Sequence, residues 1–164
     1  MNTKKLFVVR HAKAEEHSFA TNDYKRNLIK RGELRATKIA RLLKDTITIN
    51  SQTLFVSSTA NRAIQTAELF CSELDYPISS IIQTKEIYEA DYKTILKIIN
   101  QIPNHIETVV IFGHNPGLSD LTNYICNSYI TLKTSAVAAI TLEKGLNFSE
   151  LSGNTAYLDK IFTE

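Results

Sequence analysis

Lys5–Val9, Thr53–Val56 and Thr108–Phe112 are short runs, apolar at nearly every position and rich in β-branched and aromatic residues. Such runs are too short for core helices, and without alternation neither face can meet water. They demand a sheet covered on both sides, and the stretches between them supply the cover. Gly32–Lys44 carries Leu34, Ile39, Leu42 and Leu43 at helical spacing, with Arg35, Lys38 and Arg41 forming a basic outer face. Ile64, Ala67, Phe70, Cys71 and Leu74 form a second helical stripe, with Ser57-Ser58-Thr59 as capping candidates ahead of it and Pro77 beyond it. A third helix is expected from an Asp91 cap through Ile95, Leu96, Ile99 and Ile102 to Pro103. Gly113-His114-Asn115-Pro116-Gly117 turns the chain into a fourth, with Asn115 as cap, Pro116 first in the helix, and Leu118, Leu121 and Ile125 inward. Ile81-Ile82, Ala136–Leu142 and a weaker stretch near Leu146–Leu158 read as further strands. The pattern predicts one α/β domain over residues 1–164 with a mostly parallel sheet, mixed because the later strands lack intervening helices.

Composition narrows the function classes. Nineteen Lys and Arg against 17 Asp and Glu leave a net charge of +2, which argues against a general nucleic-acid or membrane coat. The sum hides an asymmetry: residues 1–44 hold twelve Lys and Arg against four Asp and Glu, while residues 45–164 hold seven against thirteen. The apolar run Leu6–Val9 is shorter than the about 7–15 residues of a secretory signal, and no stretch approaches the roughly 20 of a membrane span. Cys71 and Cys126 lack CxxC spacing and read as reduced core thiols. A cytoplasmic soluble protein is expected.

In open parallel sheets, ligands bind beyond the carboxyl ends of the strands. Arg10 and His11 follow the first strand; Ser57, Ser58 and Arg62 follow the second; Gly113, His114 and Asn115 follow Thr108–Phe112; Glu89 follows the brief Ile81-Ile82 strand. Two guanidiniums and a helix start make a pocket for a phosphoryl dianion. A neutral imidazole there can form a covalent phosphohistidine, surrounding cations stabilise the transferred group, and a nearby carboxyl can protonate the leaving group.

Leu6-Phe7-Val8-Val9-Arg10-His11-Ala12-Lys13-Ala14 resembles the Arg-His-Gly signature of the histidine phosphatase superfamily, which includes the phosphoglycerate mutases. Ser57-Ser58-Thr59-Ala60-Asn61-Arg62-Ala63-Ile64-Gln65-Thr66-Ala67 resembles its second motif and Gly113-His114-Asn115-Pro116-Gly117 its third. Asp23…Arg26-Asn27-Leu28…Arg31-Gly32 and the short length resemble the SixA-like phosphohistidine phosphatase branch. Ala12 stands for the signature glycine, Thr59 and Asn27 for usual prolines, and the last twenty residues match least. The resemblance implies a phosphoglycerate mutase-like three-layer α/β/α sandwich with a mostly parallel mixed sheet. It implies His11 as nucleophile, Arg10, Arg62 and His114 as the rest of the phosphate pocket, Arg26 as a further phosphate contact, Glu89 as the proton donor, and no metal or other cofactor. Ser57 and Asn115 are candidate phosphate contacts.

The expected activity is a metal-independent phosphatase working through phospho-His11. Without a large insertion to build a lid, the pocket should be open, which suits phosphohistidine on a protein. A small-molecule phosphomonoester phosphatase and a non-catalytic phosphate-binding module are the alternatives; nucleic acid and membrane are not expected partners. The four histidines offer no His-x-His and no His-Glu-x-x-His, and Gly113…Gly117 has too few glycines for a P-loop or dinucleotide fingerprint. His17 and His105 read as surface residues. Lys13, Lys25 and Arg26 read as a positive rim that draws an acidic, phosphorylated partner toward His11.

Overall fold

The computed structural model describes residues 3–164. Its centre is a six-stranded sheet of β1 (Lys5–Arg10), β2 (Thr53–Ser58), β3 (Ile82–Thr84), β4 (Thr108–Gly113), β5 (Val137–Leu142) and β6 (Ala156–Phe162). The spatial order is β3-β2-β4-β1-β5-β6. Neighbours from β3 to β1 pair in parallel, and β5 runs antiparallel to both of its neighbours. The helices are α1 (Lys30–Leu42), α2 (Asn61–Leu74), α3 (Tyr92–Asn100) and α4 (Gly117–Cys126).

Alternate residues of the central strands feed two separate cores. Leu6, Val8, Val109 and Ile111 pack with α3 and α4 residues such as Ile95, Ile99, Leu118 and Leu121. Phe7, Val9, Val110 and Phe112 pack with Ile39 of α1 and Phe70 of α2. That double burial is why these strands are apolar at every position, and it produces the expected three layers.

Helix α1 departs from the predicted stripe. Leu34 and Leu42 are exposed at 61% and 52%, whereas Gly32, Ala36, Ile39, Ala40 and Leu43 are buried. Both sets obey helical spacing, so periodicity alone could not separate them; the small residues win because they let the helix lie close. A Cβ on Gly32 would stand 2.2 Å from the Lys13 carbonyl oxygen.

Three other boundaries shift. Ser57 and Ser58 do not precede α2 as free caps but continue β2, paired with Gln83 and Thr84 of β3; Ala60 is the N-cap, and the Ser58 hydroxyl takes its N–H at 3.3 Å. Pro116 sits at the cap of α4 rather than first in it, while Asn115 Oδ1 accepts the Ser119 N–H at 3.3 Å. The last strand is Ala156–Phe162, later than the apolar stretch near Leu146–Leu158 suggested. Phe148 and Leu151 of that stretch are apolar because they fill the core beside α3 and α4. The Asp91 cap stands as expected, accepting the Thr94 N–H at 2.9 Å. No helix of the described residues is long and apolar enough to cross a membrane.

Candidate active site

Parallel register brings the three motifs together. Arg10 of β1 lies opposite Gly113 of β4, so His11 and His114 follow side by side, and the His11 N–H bonds the Gly113 carbonyl at 3.0 Å. Their rings are 5.2 Å apart. On the other side of β4, Ser57 of β2 is level with Phe112, which carries Ser58 to His114: its hydroxyl is 2.8 Å from His114 Nε2.

The tautomer of His11 follows from its partner. Nδ1 lies 2.8 Å from the Ala12 carbonyl oxygen, which can only accept, so Nδ1 carries the proton and Nε2 a lone pair. Burial lowers the His11 pKa to about 4, and Arg62, Arg10 and Arg26 push the same way. Burial lowers His114 to about 3, assisted by His11 and Arg62. Both imidazoles are neutral at physiological pH. The Ser58 hydroxyl already accepts from Ala60 N–H and can donate to His114 Nε2, which leaves the His114 proton on the buried Nδ1.

Arginines surround the pair. Arg10 donates from Nη1 to the Leu132 carbonyl at 3.0 Å. Arg62, in the first turn of α2, donates to the Asp23 carbonyl at 2.7 Å and to its carboxylate at 3.2 Å. Arg26 reaches the other Asp23 oxygen from Nε at 3.0 Å and from Nη2 at 2.9 Å. Arg10 Nε, Arg62 Nε and His114 Nδ1 are buried with no protein partner among the described residues. A buried donor left unpaired costs about 1–3 kcal/mol, so each of these three gains from a further acceptor such as an oxyanion.

The remaining predicted residues lie as follows. The Ser57 hydroxyl donates to the Ser58 carbonyl at 2.9 Å. Both ends of the Asn115 amide are engaged, Nδ2 with Leu132 and Oδ1 with the Ser119 hydroxyl. Glu89 is exposed in left-handed backbone (φ 58°) next to Tyr88. His17 lies 3.7 Å from Asp23, and both it and His105 are exposed. No cluster of metal-ligating side chains occurs among the described residues.

Four residues to which the sequence assigns no role in the site belong to it. Asp23 is the acceptor for both Arg62 and Arg26; Tyr88 donates to it at 2.6 Å. Ser58 holds His114. Thr66 accepts the Ala12 N–H at 2.9 Å while donating to the Arg62 carbonyl at 2.7 Å, tying α2 to the backbone beside His11. The signal for Asp23 was its spacing three residues before Arg26; Ser58 and Thr66 lie inside the second motif and Tyr88 beside Glu89, without a local mark of what each contacts.

The family profile of the histidine phosphatase superfamily (branch 1) matches residues 6–116, which contain all three motifs. The chain belongs to this superfamily. Among solved structures, one described as phosphohistidine phosphatase SixA from Agrobacterium tumefaciens superposes with a TM-score of 0.80 at 23% identity, covering 98% of each chain. The protein histidine phosphatase SixA complexed with tungstate gives a TM-score of 0.80 at 22% identity over 97% of this chain and 96% of that one. An uncharacterised chloroplast protein of Arabidopsis thaliana is 26% identical over 146 residues, 84% of this chain; the match spans 66% of the plant protein's length. The fold is thus that of the phosphoglycerate mutase-like phosphatases, and a phosphorylated substrate follows from the family.

Proposed function

We propose that the protein is a metal-independent phosphatase that transfers the phosphoryl group of a protein phosphohistidine to His11 and then to water. The observation that carries this reading is the state of His11: neutral, its proton fixed on Nδ1 against Ala12, its Nε2 lone pair among arginines. Nε2 attacks phosphorus, the bond to the leaving nitrogen breaks with its electron pair passing to that nitrogen, and water then displaces His11 to release phosphate. Arg10 and Arg62 neutralise the equatorial oxygens and neutral His114 donates a hydrogen bond from Nδ1, with Arg26 at the periphery.

The preference for phosphohistidine rests on the leaving group. Hydrogen bonds from Tyr88 and Arg26 and the charge of Arg62 outweigh desolvation and hold Asp23 near a pKa of about 2; Tyr88 is pushed up to about 12 by desolvation and by its bond to Asp23. Asp23 is therefore ionised at neutral pH, and the Tyr88 proton is engaged in the hydrogen bond to Asp23. Imidazole leaves without a proton far more readily than an alkoxide does. The structurally similar SixA is described in complex with tungstate, a tetrahedral oxyanion, which is in keeping with a phosphatase reading. A cytoplasmic setting suits the free thiols Cys71 and Cys126.

A second reading, hydrolysis of a small phosphomonoester with Glu89 as acid, draws on the left-handed backbone at Glu89, a conformation that concentrates at functional sites. One experiment separates the two. The protein is mixed with a phosphohistidine-bearing phosphotransfer protein or an alkyl phosphate, quenched in alkali, and the phosphate located by mass. Phosphate on His11 from the phosphohistidine donor, lost in His11→Ala, is expected. Turnover by His11→Ala refutes the mechanism, and labelling from the alkyl phosphate that requires Glu89 supports the second reading.

A further inference from the structure

Asp23 receives more polar contacts than any other side chain around the site. Oδ1 accepts from Arg26 Nε and forms an ion pair with its Nη2, and Oδ2 accepts from Arg62 Nη2 and the Tyr88 hydroxyl. The backbone carbonyl of the same residue takes Arg62 Nη1. Arg62 is therefore gripped at both terminal nitrogens, and its Nε is the part left without a protein partner. Tyr88 completes the wall: its ring stands edge-on to His114, with centroids 5.6 Å apart, and the Arg62 guanidinium lies 5.9 Å from its centre. Tyr24, the residue after Asp23, meets the Tyr88 ring edge-on at 4.9 Å, so the contact is supported from both elements.

From this arrangement we infer that Asp23 and Tyr88 are positioning residues for the phosphate pocket: the carboxylate fixes the orientation of Arg62 and Arg26, and the phenol fixes the carboxylate. The inference rests on the reading of the pocket as a phosphate site. The carboxylate is an acceptor at both oxygens, and an amide of the same shape is not. Asn at position 23 would turn an N–H toward either Arg26 or Arg62, a donor facing a donor, whichever way it flipped. Tyr88→Phe removes one atom and leaves the ring packing in place. Loop 15–28 has independent anchors on α2, since Asn27 Oδ1 accepts from Asn61 at 3.0 Å and Gln65 at 2.8 Å. Loss of the carboxylate therefore loosens the arginines, leaving Arg62 Nη1 on the Asp23 carbonyl and Arg26 Nη1 on the Glu15 carbonyl, without releasing the loop.

The test is tungstate binding by calorimetry, alongside kcat and KM on an aryl phosphate, for wild type, Asp23→Asn, Tyr88→Phe, Arg62→Lys and the Asp23→Asn/Arg62→Lys double variant. Asp23→Asn is expected to weaken tungstate binding about tenfold or more, the range for losing a hydrogen bond to a charged group, and Tyr88→Phe by about threefold. In the Arg62→Lys background, Asp23→Asn should cost less than in wild type, because the part of its action that passes through Arg62 is already lost and only the part through Arg26 remains. A purely structural role would lower thermal stability and add its full penalty in either background. Unchanged tungstate affinity in Asp23→Asn overturns the inference, as does tighter binding, which would make the carboxylate a competitor of the anion. If Asp23→Asn fails to fold, Tyr88→Phe decides by the same readout. Wild-type protein that binds no tungstate would remove the phosphate-site reading itself, a result distinct from equal binding by wild type and variant.

Discussion

Gly32→Ala sets two effects of opposite sign against each other. Gly32 is the third residue of α1, where alanine would favour the helix by about 1 kcal/mol. The new methyl, however, would stand 2.2 Å from the Lys13 carbonyl oxygen, about 1.2 Å short of ordinary contact at 3.4 Å, with Lys13 N and C at 3.0 Å. All three are backbone atoms, so no side chain can swing away. Nor can the helix withdraw freely, because that same carbonyl accepts the Ile29 N–H at 3.1 Å. Overpacking of this kind costs roughly 1–3 kcal/mol and the endangered hydrogen bond about 1 more, so net destabilisation of about 1–3 kcal/mol remains after the helix gain. In a chain of this size that lowers Tm by roughly 2–12 °C. Thermal denaturation measures it directly. The strain falls on the residue after Ala12, whose carbonyl orients His11, so kcat/KM at a temperature well below the transition should also fall. An unchanged or raised Tm would show that the helix propensity term wins and that the approach of α1 to the loop after β1 is not as tight as argued.

Thr66→Val keeps the shape but leaves the Ala12 N–H without its acceptor; a loss of about 1–3 kcal/mol in stability is expected by denaturant titration, with kcat/KM reduced, and a neutral substitution would refute the link between α2 and the nucleophile's backbone. Both histidines have folded-state pKa values below the ordinary 6.5, near 4 for His11 and 3 for His114, so the unfolded chain takes up protons first as pH falls. Their contribution is complete above about pH 6.5 and is lost as pH falls toward 4; Asp23, lowered to about 2, adds loss below its ordinary 3.8. Tm measured from pH 7.5 to 4.5 should decline on the acid side, and a flat profile would contradict two buried neutral imidazoles. If Lys13 and Lys25 attract a protein substrate, kcat/KM for the phosphoprotein should drop as salt rises while that for a small aryl phosphate changes much less; equal salt dependence would remove their steering role.

The sheet, its mixed character and the strand edge where the three motifs meet were legible because they rest on local patterns: uninterrupted apolar runs, helical stripes and short motifs after strands. Asp91 as a cap and the turn at Gly113 are similarly local. What stayed hidden depended on distance in sequence. That Leu34 faces solvent while Gly32 is buried is decided by the Lys13 backbone, from a different segment. Tyr88 donates to Asp23 across 65 positions, and Ser58 meets His114 across 56, so neither partner advertises the other. Asn27 illustrates the same limit. As a replacement for a usual proline it reads as a softer loop, yet its side-chain oxygen collects donors from Asn61 and Gln65 and pins that loop to α2.

The basic first quarter of the chain also changes meaning once partners are known. Much of its excess is matched by acidic residues later in the sequence: Lys5 by Asp159, Arg35 and Lys38 by Glu164, Arg41 and Lys44 by Glu73. These pairs are largely exposed and each contributes little to stability, about 0–1 kcal/mol, but together they remove the back of α1 from the unpaired positive surface. Arg26 is taken by Asp23, and Lys4 is buried against the carbonyls of Asn104 and Ile106. Among the described residues, the cations of that quarter with no ion-pair partner and an outward position are Lys13, Lys25 and Arg31. Lys13 lies two residues beyond His11, Lys25 two beyond Asp23, and Arg31 in the turn of α1 that abuts Lys13. The asymmetry of the sequence therefore resolves into two parts, one cancelled across the tertiary structure and one left uncancelled, with Lys13 and Lys25 close in sequence to His11 and Asp23. Only the second part can act on an approaching anion.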